Sequence, residues 1–399
     1  MNPWKGLRGL RKEVWALSAA TLVNRAGTMV LPFMVLYLTR SLGFSSGRAG
    51  LALTAYGLGG LLITPFAGRL SDRIGRLPIL LGSLLGAGLF LLVFPLAHQY
   101  WAVLAMSFVL AVINESFRPA AMALVADVTT PEQRRPAFAL YRFAVNLGMA
   151  VGPAAGGFLA LVSFRFLFYA DAATTLLAFG LLAFLSRKLG ITRAAGRAEP
   201  SAFPPGKGVK IRPLRDGRFV YFLLALAPAV LVYFQLESAF PLFLVRHAHL
   251  PESAYGLFLT LNTVIIILLE IPLNTWMARW PHRRTLVLGA FLCGLGFGAT
   301  GLTWGFWSVA ATVVIWTFGE MIAFPSASAA VADLAPEGSR GAYMGVYTMS
   351  WGVCFSIGPW LGAQTLESFG PSAVWSGVFV LGCLSAFMLM FLKIPQASN

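Results

Sequence analysis

The chain has 399 residues, 58% of them hydrophobic and only 11% charged, with a mean hydropathy of +0.75. A soluble domain carries about twice that charged fraction, which excludes an ordinary globular enzyme. The net charge of +15 does not imply a nucleic-acid partner, because the 30 Lys and Arg punctuate long apolar runs.

A hydrocarbon core ~30 Å thick needs roughly 20 apolar residues in a helix. Stretches of that size run over 14–38, 47–68, 77–97, 101–126, 137–162 and 165–186. The first is longer than the apolar region of a cleaved leader. After the second, a short loop reads Gly68-Arg69-Leu70-Ser71-Asp72-Arg73-Ile74-Gly75-Arg76, one carboxylate among three guanidiniums. Gly68 permits close helix contact and Gly75 a tight turn. In the fifth stretch Gly148, Gly152-Pro153 and Gly156-Gly157 recur at a spacing of four, which lines small residues along one helix face for a close neighbour. The run 187–217, rich in Arg, Lys, Pro and Gly, reads as a linker. Six further apolar stretches follow at 219–245, 253–278, 285–304, 306–332, 341–365 and 371–392. The expected organisation is a six-helix bundle over 1–186, a cytoplasmic linker over 187–217 and a second six-helix bundle over 218–399. Cys293, Cys354 and Cys383 all fall in apolar stretches, so no disulfide framework is implied.

With both termini placed in the cytoplasm, 23 of the 30 Lys and Arg fall in inner loops, 4 in outer loops, and 3 (Arg25, Arg118 and Arg142) within spans. The positive-inside rule therefore sets the orientation. A shift of 206 residues superposes the middles of the two halves. Pro119 then meets Pro325, Val125-Ala126-Asp127 meets Val331-Ala332-Asp333, and Gly152-Pro153 and Gly156 meet Gly358-Pro359 and Gly362. Two parallel six-helix repeats are a known transporter construction, with the substrate site near the midplane.

The 68–76 segment and the glycine pattern of the fifth span resemble signatures of the major facilitator superfamily, the second those of its drug:H+ antiporter branch. Phe117-Arg118-Pro119, Gly319-Glu320 and Pro325 look most like bacterial multidrug-resistance exporters. The resemblance implies an all-α fold of twelve transmembrane helices in two pseudo-symmetric bundles. It also implies a gate in which Gly68, Asp72, Arg73, Gly75 and Arg76 take part. In it Asp72 meets the start of the eleventh helix and Arg76 pairs with Asp127. The second copy is degenerate: Asn274, Ala278, Arg279 and His282 stand where the first has a glycine, an aspartate and two arginines.

Ionisable groups at bilayer depth are expensive and functional by default. Glu115 and Glu320 lie midway along the fourth and tenth spans, roughly 20 Å from either helix end. Glu320, with no arginine near in sequence, is the expected proton carrier, Glu115 the second and Glu270 a further candidate. Arg118, Arg25 or both are expected to modulate Glu115; a permanent Glu115–Arg118 ion pair is the open alternative. A carboxyl in an apolar cavity favours its neutral form, and a nearby arginine reverses that. Arg25, Arg118, Arg142, Asn146, Glu237, Trp316, Tyr347 and Trp351 are candidates for the substrate cavity, the rings suiting a lipophilic cation. Asp171 is expected to be a structural hydrogen-bonding group.

The expected activity is proton-coupled efflux of lipophilic or amphiphilic small molecules by alternating access. Lipid or lysolipid transport and sugar or metabolite transport are the alternatives on the same fold, and a sensor or scaffold is the non-transport one. Without a GxxxxGK[ST] segment, ATP hydrolysis is not expected. No enzymatic activity, metal or cofactor beyond the proton gradient is expected. The partners are a small-molecule substrate, protons and the lipid bilayer of the cell (inner) membrane, with no nucleic acid, and the chain is expected to work as a monomer.

Overall fold

The computed structural model describes residues 9–190, 213–336 and 339–392. Among the described residues, eleven helices are long and apolar enough to cross a membrane. The last of them, Arg340–Met390, has 51 residues and would be roughly 77 Å long if straight. It turns at Gly370, whose φ of 81° only glycine adopts freely, and so supplies two spans. The spans are α1 (Lys12–Arg40), α2 (Ser46–Ile74), α3 (Arg76–Leu96), α4 (Tyr100–Asp127), α5 (Pro136–Val162), α6 (Phe164–Leu189), α7 (Gly217–Glu237), α8 (Glu252–Trp276), α9 (His282–Leu302), α10 (Phe306–Leu334), α11 (340–369) and α12 (371–390). In lipid an α-helix satisfies its own backbone groups, which is why the apolar runs adopt it. The expected loop after α2 is instead helical as far as Ile74. Only Gly75, at φ 99°, separates α2 from α3.

Three spans are interrupted. Span α1 breaks between Ala26 and Val30, α7 passes through a 3-10 turn at Phe234–Glu237 before resuming over Ala239–Arg246, and α4 breaks at Ser116. At the α1 and α7 breaks polar side chains meet the backbone. In α1 the N–H groups of Met29 and Val30 both donate to Asp171 Oδ2 of α6 at 3.2 Å, placing an anion at a helix start. In α7 Gln235 Nε2 donates to the carbonyls of Leu231 and Gly358 at 3.0 Å, and Tyr255 Oη donates to that of Leu236. The 206-residue shift carries the α1 break onto the α7 break, so the duplication extends to the discontinuities.

The helices group into two compact units: one holds the described residues up to Tyr37 and from Ala55 to 190, the other Leu38–Thr54 and everything from 213 onward. The first is packed around Val14, Leu17, Leu80, Phe117, Leu124 and Leu182. The second is packed around Phe219, Phe222, Leu286, Ala327, Tyr343 and Leu389. Within the second unit Arg40 pairs with Glu252, and the Gly47 N–H donates to Glu367 at 2.6 Å.

Candidate functional site

In the second unit, Asn262 of α8 donates one amide group to Thr317 Oγ1 and to Glu320 Oε2 of α10, each at 3.0 Å. Tyr233 of α7 hydrogen-bonds the same carboxyl, so residues of three helices meet at Glu320. Glu270, also on α8, is close enough to interact with it electrostatically. Among the described residues no ion pair involves Glu320.

Aromatic rings gather beside this carboxyl. Tyr233 meets Phe234, Phe324 and Trp351 edge-on at centroid distances of 5.5, 5.1 and 6.2 Å. Phe324 meets Trp351 at 4.6 Å, Tyr347 meets Trp351 at 6.2 Å, and Phe234 meets Phe355 at 5.0 Å. The rings of Tyr233, Phe234, Phe324, Trp351 and Phe355 are half-buried and keep part of their surface open. Tyr347 and Trp351 thus belong to this cluster. Trp316 is fully buried and stacks on Phe297 of α9 at 4.8 Å, away from these contacts. Glu237 sits at the end of the α7 turn near Tyr233 and Tyr255, with one carboxyl oxygen buried and without a protein partner.

The first unit repeats the pattern with the residues exchanged. Tyr56 of α2 donates to Glu115 Oε1 at 3.2 Å and accepts from Asn114 Nδ2 at 3.1 Å. Shifted by 206, Tyr56 falls on Asn262 and Asn114 on Glu320. The same interhelical contact was therefore duplicated, and the acid moved by one residue. Glu115, Tyr56, Asn114 and Arg25 line an enclosed cavity of about 50 Å³, large enough for water. Arg25 Nε is buried there without a protein partner. Among the described residues no ion pair joins Glu115 and Arg118, and Arg118 is exposed. Arg142 is exposed and Asn146 half-buried on α5. Asp171 has the structural role expected of it, capping the α1 break.

The glycine face of α5 packs on that break. A Cβ at Gly148 would lie 2.5 Å from Arg25 Cβ, and one at Gly152 would lie 2.9 Å from the Thr28 carbonyl and 3.0 Å from that of Arg25. Gly156 meets Met29 and Phe33, and Pro153 and Gly157 are buried beside it. In the second unit Gly358 and Gly362 meet Phe234 and Gln235 at the α7 break in the same way. A Cβ at Gly68, by contrast, would meet nothing within 4 Å.

At the loop between α2 and α3, Arg76 bonds Asp72, Ser71 Oγ at 2.9 Å and Asp127 Oδ2 at 3.2 Å, so one guanidinium joins both acids. Gly75 makes the turn and Arg73 is exposed. In the other copy, His282 Nε2 lies 2.9 Å from Asp333 Oδ2. The shift carries Arg76 onto His282 and Asp127 onto Asp333, so the degenerate copy keeps one half of the network. Asn262, Tyr56, Asn114, Tyr233, Phe234, Phe324 and Phe355 were not singled out by the sequence. The 206-residue register would have exposed the first three, and Phe324 stands one turn from Glu320. Tyr233, Phe234 and Phe355 reach the site through the α7 break and its packing, which carry no sequence signature.

Twelve apolar spans in duplicate, with polar side chains meeting across helices at mid-depth in each half, describe a multi-pass membrane transporter rather than an enzyme. A family model described as Major Facilitator Superfamily matches residues 17–251 and 236–398, so the chain belongs to that superfamily. It is 27% identical over 96% of its length to the uncharacterized MFS-type transporter YqjV of Bacillus subtilis (strain 168), covering 94% of that protein. It is 25% identical to a Na(+), Li(+), K(+)/H(+) antiporter of Planococcus maritimus, covering 90% of this chain and 92% of that one. It is 24% identical to the multidrug resistance protein MdtH of Edwardsiella ictaluri (strain 93-146), covering 93% and 92%. Among solved structures, a peptide transporter POT in complex with alafosfalin superposes with a TM-score of 0.79 at 18% identity, covering 97% of this chain and 95% of that one.

Proposed function

We propose that this chain is a proton-coupled exporter of lipophilic, preferentially cationic small molecules, working by alternating access in the cytoplasmic membrane with both termini inside. The observation that carries the reading is Glu320, held by Asn262 and Tyr233 beside an open aromatic wall and without a basic partner. In the inward-facing state the deprotonated carboxylate holds a cation against the rings, by charge and by cation–π attraction. In the outward-facing state a proton from outside takes the carboxylate and releases the cation. Return to the inside releases the proton to the cytoplasm. Glu115 with Arg25 is the second ionisable group in this scheme, Glu237 and Glu270 flank the site, and the Asp72–Arg76–Asp127 network is the inner latch. The names of the MdtH relative and the cation/H+ antiporter support export in exchange for protons. The rings favour an organic cation over a bare metal ion, which needs a shell of oxygen ligands.

Inverted membrane vesicles energised with a proton gradient test this. Addition of a lipophilic cation should dissipate the gradient in wild type and not in Glu320→Gln. Equal dissipation by both would contradict the reading.

A further inference from the structure

Span α9 begins at the end of the second unit that carries its basic loop, immediately after Trp280 and Pro281. There, between α9 and α12, lies an open groove of about 670 Å³. It is lined by Trp280, Arg283 and Arg284 at the start of α9, by Val287, Leu288 and Phe291 further along it, and by Met390 of α12. Both arginines are exposed, and among the described residues neither takes part in an ion pair. The nearest acid of the gate copy, Asp333, is already held by His282.

The duplication makes this end of the molecule asymmetric. Shifted back by 206 residues, Arg283 and Arg284 fall on Leu77 and Pro78, so the first copy has no charge there. The first copy has Asp72, whose counterpart is Ala278, and Arg69 and Arg76, whose counterparts are Thr275 and His282, so each copy holds three arginines and the second lacks the carboxylate. Arg283 and Arg284 are left exposed, without an acidic partner among the described residues.

The depths of these groups describe a fitting partner. Trp276 is 67% exposed, and its ring lies 5.1 Å from that of Trp280, the pairing expected where a bilayer's headgroups begin. The Arg284 guanidinium lies over the Trp280 ring at 5.8 Å, at the same level. Phe291 is seven residues further along α9, roughly 10 Å deeper into the apolar layer. Phe291 and Met390 are 39% and 50% exposed, and Phe387 beside them on α12 is 58% exposed. Charge at headgroup level above an apolar channel at acyl-chain level matches one amphiphile.

We propose that the groove between α9 and α12 binds an anionic phospholipid of the cytoplasmic leaflet, its phosphate held by Arg283 and Arg284 and an acyl chain laid along Leu288, Phe291 and Met390. The site is separate from the Glu320 cluster and does not depend on the transport reading. It ties the α8–α9 turn, where the second gate copy lacks its aspartate, to the membrane surface.

The test is native mass spectrometry of the full chain released from nanodiscs of phosphatidylethanolamine and phosphatidylglycerol, with thermal unfolding in detergent on addition of each lipid. Wild type should retain phosphatidylglycerol and be stabilised by it, and not by phosphatidylcholine. Arg283→Ala/Arg284→Ala should bind it roughly tenfold to thirtyfold more weakly, from about a factor of five per arginine at the surface. Arg187→Ala/Lys188→Ala, which removes two basic groups elsewhere, should bind as wild type does. Arg283→Gln/Arg284→Gln, which removes both charges and keeps long polar side chains, should lose the lipid to the same extent, and it serves if the alanine variant fails to fold. Equal retention by wild type and both site variants would overturn the proposal. So would equal stabilisation by phosphatidylcholine, or by inorganic phosphate alone.

Discussion

Tyr233 touches the proposed proton site in two ways, through its hydroxyl to Glu320 and through its ring to Phe324 and Trp351. Tyr233→Phe separates them: the aromatic wall remains and one hydrogen bond to the carboxyl goes. The pH profile of drug-driven proton flux should move while the affinity for a lipophilic cation changes little. Trp351→Ala should do the reverse, weakening binding of that cation by roughly twofold to thirtyfold, the span of cation–π contributions, with the pH profile kept. Binding measured by fluorescence quenching across pH distinguishes the two. Glu320 stands out in the sequence as a candidate because a carboxylate midway along an apolar run has few structural uses. Arg118 is exposed and pairs with no acid among the described residues, although the i,i+3 rule places it on the face of Glu115. Tyr56, 59 positions away, takes the carboxyl instead.

The interruption of α1 is held from two sides, by Asp171 on its N–H groups and by the glycine face of α5 against its carbonyls. Asp171→Leu leaves two buried N–H groups without a partner and should cost about 1–3 kcal/mol for each. Asp171→Asn keeps an acceptor and should cost less. Gly152→Ala places a methyl group about 3 Å from two backbone carbonyls, which only a backbone shift can relieve, at roughly 1–3 kcal/mol. Thermal unfolding in detergent checks both, with Gly68→Ala as the neutral control because its Cβ meets open space. The spacing of four made the close approach on α5 legible, though not the helix it meets. That information lies in tertiary packing, and the residues at the break itself, Gly27-Thr28-Met29, are unremarkable in composition. The helix that replaces the expected loop at 69–74 has a plain cause as well: charge there marks the end of the membrane, and a helix can continue into water.

At the scale of the whole molecule, the duplication organises the chain, and its departures from symmetry carry the chemistry. Both halves keep an interrupted first helix, a small-residue face packed on it and a polar contact between second and fourth helices. They differ in charge: the first has Arg25 near its acid and a complete Asp72–Arg76–Asp127 network, the second an aromatic wall and only His282–Asp333. If the first network is the inner latch, Asp72→Asn should lower transport by tenfold or more with little loss of thermal stability, and His282→Arg, which restores the residue type of the first copy, should be tolerated. The 206-residue register was legible from the sequence because backbone-determining residues (Pro, Gly and the Val-Ala-Asp run) survive duplication. The aromatic wall was not, because the rings around Tyr233 converge from α7, α10 and α11. The most direct measurement is substrate-induced proton release from the purified protein in weakly buffered detergent, followed with a pH dye. Wild type should release a proton when a lipophilic cation binds, and Glu320→Gln should bind the cation more weakly and release none. Full release from Glu320→Gln would contradict the assignment of the carboxyl that exchanges a proton for substrate.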